Sequence, residues 1–165
     1  MTVLAPAQLR PLTTADRDRL EAITRSTGLF NDDEIPVALE VFDAAVAGSD
    51  DYAALGAAAG DMLAGWICWG PTPCTVGTFD LSWIAVDPAQ HNAGIGSLLL
   101  AEMERQLAGL ARLVVVETAG RAEYAPTRAF YERRGYAAVA RIPDFYAPGD
   151  DQVVYTKAIT AAARP

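Results

Sequence analysis

Cysteine, histidine and positive charge are all scarce in this 165-residue chain. There are two Cys, one His and 13 Lys+Arg against 21 Asp+Glu, for a formal net charge of −8. Two cysteines, Cys68 and Cys74, are too few for a disulfide framework and read as small semi-buried side chains. With His91 as the lone imidazole they form no recognisable zinc pattern, so no metal is expected. The acidic balance excludes a nucleic-acid binder, which needs a basic face to offset phosphate charge. No run approaches the about 18–20 apolar residues of a membrane span. The first residues, Met1 to Pro6, lack a basic segment and a long apolar one, so no secretory signal is read there. The expectation is a cytoplasmic protein without a membrane partner. Disorder is excluded as well: 52% hydrophobic and 21% charged residues are ordinary for a globular chain, and the length fits one domain, 1–165, with 160–165 a frayed tail.

The pattern along the chain is helices first, then strands, then alternation. Gln8 to Pro11 reads as a short strand. A helix follows from Thr13 or Thr14, with Leu20 and Ile23 on its apolar edge and Gly28 as its stop. A second helix from about Asp33 to Ala47 carries Pro36 in its first turn and Ile35, Leu39, Phe42 and Val46 on one face. Tyr52–Ala58 and Met62–Trp69 form a hairpin around Gly60-Asp61, and Thr78–Val86 a third strand. A long helix is predicted over Ser97–Leu110, a strand covered on both faces over Arg112–Thr118, and a helix from Pro126 to Arg134 ended by Gly135. Two last strands, Tyr136–Ile142 and Gln152–Ile159, flank a loop from Pro143 to Asp151. The order implies an α/β mixed sheet, parallel where helices cross over and antiparallel elsewhere.

The sharpest local signal is Gln90-His91-Asn92-Ala93-Gly94-Ile95-Gly96-Ser97, between a strong strand and a strong helix. Glycines let successive backbone N–H groups converge, and the helix adds its positive end, which makes a cradle for phosphate. The same glycines also serve plain turn chemistry. No Lys-Ser or Lys-Thr follows the second glycine, and Leu99 takes the third glycine position of a dinucleotide fingerprint, so neither kinase nor dehydrogenase chemistry is supported.

Leu81-Ser82-Trp83-Ile84-Ala85-Val86-Asp87-Pro88, followed by His91 to Gly96 and Leu98-Leu99-Leu100, resembles the central motif of the GCN5-related N-acetyltransferases. Thr127-Arg128-Ala129-Phe130-Tyr131-Glu132-Arg133-Arg134-Gly135-Tyr136 is similar to the second landmark of that family, about 35 residues on. The run from Ile142 to Asp151 also looks like a branch of it. The resemblance implies an acyl-CoA N-acyltransferase fold with N-terminal helices, a β-hairpin and βαβαβ. It implies acetyl-CoA as cosubstrate, with backbone groups of Ile84, Ala85 and Val86 for the pantetheine arm. The loop of His91, Asn92, Ala93, Gly94, Ile95, Gly96 and Ser97 would hold the pyrophosphate, and Tyr131 would stand near the thioester sulfur. His91 replaces the family's Arg or Gln, and Tyr124 stands where many relatives carry Asn.

Amine acetylation needs a neutral nitrogen, whereas an alkylamine with pKa near ~10.4 arrives protonated, so a base must act. Glu117 at the end of Val114-Val115-Val116 is the first candidate and Asp80 the second; each also reads as a solvated strand carboxylate. Trp66, Trp69, Trp83, Phe145 and Tyr146 are candidates to line an acceptor pocket, with the Phe30–Pro36 loop as its cover, although aromatics in strands are more often core. Asp32, Asp33, Glu34, Asp144, Asp150 and Asp151 fit either a cationic amine or plain solvation. The expected activity is acetyl transfer to a primary amine of a small molecule or peptide by direct attack in a ternary complex, with a non-catalytic CoA-binding domain as the alternative. A homodimer is compatible with the sequence.

Overall fold

The apolar stripe of the second helix shows how the fold is assembled. In the computed structural model, which describes residues 6–91 and 93–160, Ile35, Leu39 and Phe42 are 1%, 8% and 0% exposed and face inward together. The elements run β1 (Gln8–Arg10), α1 (Arg17–Ser26), α2 (Glu34–Val46), β2 (Ala53–Ala59), β3 (Met62–Pro71), β4 (Thr78–Val86), α3 (Ile95–Leu107), β5 (Leu113–Ala119), α4 (Ala125–Arg133), β6 (Ala137–Ala147) and β7 (Asp150–Ala158). The strands form one mixed seven-stranded sheet in the order β1-β2-β3-β4-β5-β7-β6. The β4–β5 pair is parallel, as expected for strands joined through α3, and β5–β7 and β6–β7 are antiparallel.

The chain divides into two compact units. One comprises the chain up to Gly70 together with Ser82–Gln106; the other comprises Pro71–Leu81 and the chain from Leu107 onward. In the first, Leu20 and Ile23 of α1 and Ile35, Ala38, Leu39, Val41 and Phe42 of α2 pack against Leu63, Trp66, Cys68 and Ala85 of the strands. Side chains of this size contribute roughly 1.5–3 kcal/mol each when fully buried. Asp16, 9% exposed, ties β1 to the helices by accepting two bonds from the Arg10 guanidinium, at 3.0 and 2.7 Å, and one from the Thr13 amide at 2.8 Å. Arg10 above all, with Thr13, holds the Asp16 carboxyl below the usual carboxylate range. In the second unit, alternate residues of β5 go inward: Val114 and Val116 are 0% and 2% exposed and Thr118 is 6%. Tyr155 of β7 lies opposite Val116 and meets the Tyr131 ring of α4 at 6.2 Å, so this is the face that α4 covers.

Three expectations are corrected. The loop predicted over Pro143–Asp151 is strand as far as Ala147, and β7 already starts at Asp150. β6 is the terminal strand of the sheet, where a proline is tolerated because no ladder partner needs its N–H. The helix predicted from Ser97 to Leu110 runs from Ile95 to Leu107. The two cysteines differ: Cys68 is 0% exposed, with burial pushing its thiol up to about 12, whereas Cys74 is exposed. Among the described residues no helix is long and apolar enough to cross a membrane. The residues read as a signal-free start (1–5) and most of the tail (161–165) lie outside the described residues.

Candidate functional site

The turn after β4 is held by a carboxylate. Asp87 donates its backbone N–H to the Ala64 carbonyl at 2.8 Å, accepts the Ala89 N–H on Oδ1 at 2.9 Å, and binds the Arg19 guanidinium through Oδ2. Arg19 also donates to the Leu63 carbonyl at 3.0 Å, so one side chain braces the end of β4 against β3. Burial opposes ionisation of Asp87, but the bonds from Ala89 and Arg19 outweigh it and keep its carboxyl below the usual range. Arg19 carries no motif; only its partner, the Asp-Pro that ends β4, was visible in the sequence.

From there the backbone winds through hydrogen bonds from Gln90 N–H to the Asp87 carbonyl, His91 N–H to Pro88 and Ala93 N–H to Gln90, at 2.8, 3.2 and 3.3 Å. The amides of His91 and Ala93 are thus engaged inside the turn, and Asn92 lies outside the described residues. Gly94 has φ +73, a left-handed conformation that an L side chain adopts only with strain. It reverses the chain into α3, whose Leu98 N–H closes on the Gly94 carbonyl at 2.9 Å. Ile95 and Gly96 open this helix, and first-turn amides have no acceptor within their own helix. These amides and the helix dipole make the end of α3 attractive to an anion. The start of α3 also sits close on the sheet. A Cβ at Gly65 would lie 2.8 Å from Ile95 Cγ2 and 3.2 Å from the Ala85 carbonyl oxygen.

The second constellation belongs to the other unit. Tyr131 on α4 is 2% exposed, with ring centroids of Phe130, Tyr136 and Tyr155 at 5.3, 5.7 and 6.2 Å. Burial, and after it the neighbouring Tyr124, pushes the Tyr131 phenol well above its ordinary value, so it is a proton holder at neutral pH. Tyr155 donates its hydroxyl to Glu132 at 2.9 Å, and the Arg121 guanidinium lies 4.7 Å from the Tyr124 ring centre.

Glu117 points the other way. One residue on from Val116, it lies on the face of β5 opposite α4, accepts the Gln152 amide N–H at 3.0 Å, and remains exposed. Asp80, in register with Val115, shares that face. Gln152, 3% exposed, and Asp150, 7% exposed, lie two residues apart on the same side of β7. Asp150 is the residue the sequence described least well: it is not a solvated loop acid but a buried one, its Oδ2 bound to Arg121 Nη1 at 2.9 Å. Gln152 and Arg121 were missed altogether, since nothing in their local sequence marks them.

The aromatic candidates separate. Trp66 and Trp69, 0% and 4% exposed, are core; the Trp66 indole donates to Thr24 Oγ1 at 3.1 Å. Trp83 is half-buried and meets Phe30 at 4.8 Å, which brings the loop between α1 and α2 onto β4. Phe145 and Tyr146 are 52% and 44% exposed and pack edge to face on β6. Among the described residues no group of three or more His, Cys, Asp and Glu is arranged to hold a metal ion.

Residues 50–138 match a family model described as an acetyltransferase (GNAT) domain. No curated protein matches the chain in sequence. Among solved structures, a GNAT-family protein from Desulfovibrio desulfuricans is 38% identical over 93% of this chain and 99% of its own, with a TM-score of 0.87. A ribosomal-protein-alanine N-acetyltransferase from Escherichia coli is 19% identical over 96% of this chain and 97% of its own, TM-score 0.76. An aminoglycoside 6'-N-acetyltransferase solved with coenzyme A is 18% identical over 96% and 99%, TM-score 0.74.

Proposed function

The chain belongs to the GNAT acetyltransferase family, and from that premise we propose that it transfers the acetyl group of acetyl-CoA to a primary amine by direct attack in a ternary complex. The observation that carries the reading is that one unit supplies both a buried phenol, Tyr131, and an exposed carboxylate, Glu117, held by Gln152. The attacking amine must lose a proton and the departing sulfur gains from a hydrogen-bond donor, and a carboxylate and a phenol supply these two functions.

Each residue then has one task. Acetyl-CoA supplies an activated acetyl group as a thioester. The amides at the start of α3, from Gly94 to Ser97, hold its pyrophosphate, and the backbone of Ile84, Ala85 and Val86 runs alongside its pantetheine amides. This fits an acidic chain, because backbone dipoles bind phosphate whatever the net charge. His91 is exposed beside this turn, where the family's motif has Arg or Gln. Glu117 receives a proton from the acceptor's ammonium, directly or through one water, and Gln152 fixes the carboxylate's orientation. Tyr131 offers its hydroxyl hydrogen to the departing sulfur. Its raised pKa makes complete transfer to a thiolate uphill, so its contribution is a hydrogen bond.

The test is thiol release from acetyl-CoA across a panel of small amines and peptide N-termini, with calorimetry of acetyl-CoA alone alongside. Turnover with at least one amine is expected. Binding without turnover points instead to a CoA-binding role, and absence of both overturns the proposal.

A further inference from the structure

Among the described residues, three enclosed side-chain polar atoms have no hydrogen-bond partner: Thr72 Oγ1, Trp83 Nε1 and Asp150 Oδ1. Only the last belongs to a carboxyl group. Asp150 is 7% exposed, and Arg121 satisfies its other oxygen at 2.9 Å. Enclosed polar atoms are nearly always paired, and a carboxylate oxygen more so than most, because each missing donor leaves desolvation uncompensated.

The surroundings say what kind of donor is absent. Asp150 and Gln152 lie on the face of β7 that also carries Glu117, away from α4, and the Gln152 amide reaches Glu117 at 3.0 Å. The charges of this group are two carboxylates against the single guanidinium of Arg121, whose other carboxylate neighbour, Glu123, is 3.9 Å away. The row therefore has a deficit of positive charge, and the enclosed oxygen is a ready acceptor for a charged N–H. That donor is a poor candidate for the nitrogen that reacts. Under the proposed transfer the reacting nitrogen is served by Glu117, which leaves Asp150 for a different cation. A strand advances ~3.3 Å per residue, so Asp150 stands about two residues along β7 from the Gln152 that serves Glu117.

We infer that Asp150 is a specificity-determining residue that binds a second cation of the acceptor, so that the preferred substrates are diamines or other amines bearing a separate ammonium. The inference rests on the proposed acetyl transfer for its kinetic arm only. Gln152 senses the site from within and Glu117 marks its exposed end.

The experiment pairs α,ω-diamines of three to six carbons with monoamines of the same lengths, using wild type and Asp150→Asn. Wild type is expected to favour at least one diamine by about tenfold in kcat/KM, through KM, as one charge-assisted hydrogen bond would give. Asp150→Asn should reduce the diamine-to-monoamine ratio to near one. Equal loss for both classes, or no preference in wild type, overturns the inference. A second measurement does not depend on turnover: the Gln152 side-chain amide resonance of wild-type protein, without acetyl-CoA, is titrated with each amine. A saturable shift with diamines that monoamines do not produce is expected. No shift, or the same shift with both, means that Oδ1 merely holds a buried water and overturns the inference. If no amine is acetylated but the diamine shift is present, the transfer reaction fails and the cation site stands. The wild-type titration decides the matter even if Asp150→Asn does not fold.

Discussion

The turn from Asp87 to Ser97 and the face of β5 and β7 that carries Glu117 are built on different principles. The first presents backbone: Gly94 in a left-handed turn, helix-start amides, and a carboxylate whose role is to pin the chain. The second presents side chains in a row, Glu117, Gln152 and Asp150, on strands whose other face is core. A site made of amides depends on where the main chain lies and tolerates changes of exposed side chains. A site made of carboxylates depends on identity and tolerates nothing at the reacting atom. The first suits a cosubstrate common to a family, and the second an acceptor that differs among members.

The comparison can be broken most severely on the side-chain row. Glu117→Gln keeps size and the contact with Gln152 but removes the proposed base, and kcat should fall roughly 100-fold or more with an unchanged melting temperature. A smaller loss would mean that Asp80 or water takes the proton. Tyr131→Phe should cost about 10-fold in kcat, the worth of one hydrogen bond to the leaving sulfur. Identical rates of thiol release would remove Tyr131 from the reaction.

On the backbone side, Gly65→Val forces bulk against Ile95 Cγ2 and the Ala85 carbonyl. It should destabilise the fold by about 1–3 kcal/mol and weaken acetyl-CoA binding in calorimetry, although residue 65 offers the ligand no side chain. His91→Ala should change acetyl-CoA affinity by less than about fivefold, as expected of an exposed side chain beside amides that hold the phosphates. A larger loss would show that a side chain, not the main chain, holds the phosphates.

Acid should act on the turn and on the helices of its unit through two anchors. The Asp16 and Asp87 carboxyls are held below their usual range in the folded protein. Such groups add stability that is fully present above their unfolded pKa of ~3.9 and is lost as pH falls through their folded values. Thermal melts from neutral pH downward should therefore be flat until about pH 4 and then drop, and Asp16→Asn should shrink the drop while lowering the plateau by about 1–3 kcal/mol.

Much of the backbone-built region was legible in the sequence, because turn glycines, Asp-Pro and helix periodicity are local signals. Gly94 and the stripe of α2 stand as their spacing predicts. The side-chain row was legible only in part. Glu117 could be picked as the end of a β-branched run, but its partner Gln152 is 35 residues away and reaches it only through strand pairing. Asp150 misled because a Pro-Gly-Asp-Asp string has the composition of a solvated loop, whereas a two-residue turn and Arg121 turn it inward. The length of β6 was hidden for the same reason. Pro143 reads as a strand breaker unless the strand is known to lie at the end of the sheet.

The unequal cysteines have a practical consequence. Cys68 is sealed in the core, with a thiol too weakly acidic to react near neutrality, whereas Cys74 is open to reagent. An assay that colours free thiols will therefore register about one fast equivalent per enzyme molecule before any turnover. That fixed offset doubles as an internal titration of folded protein: a second equivalent appearing with time reports unfolding in the same cuvette. Cys74→Ser removes the offset, and the same exposed thiol in the native chain gives a single attachment point for a spectroscopic label.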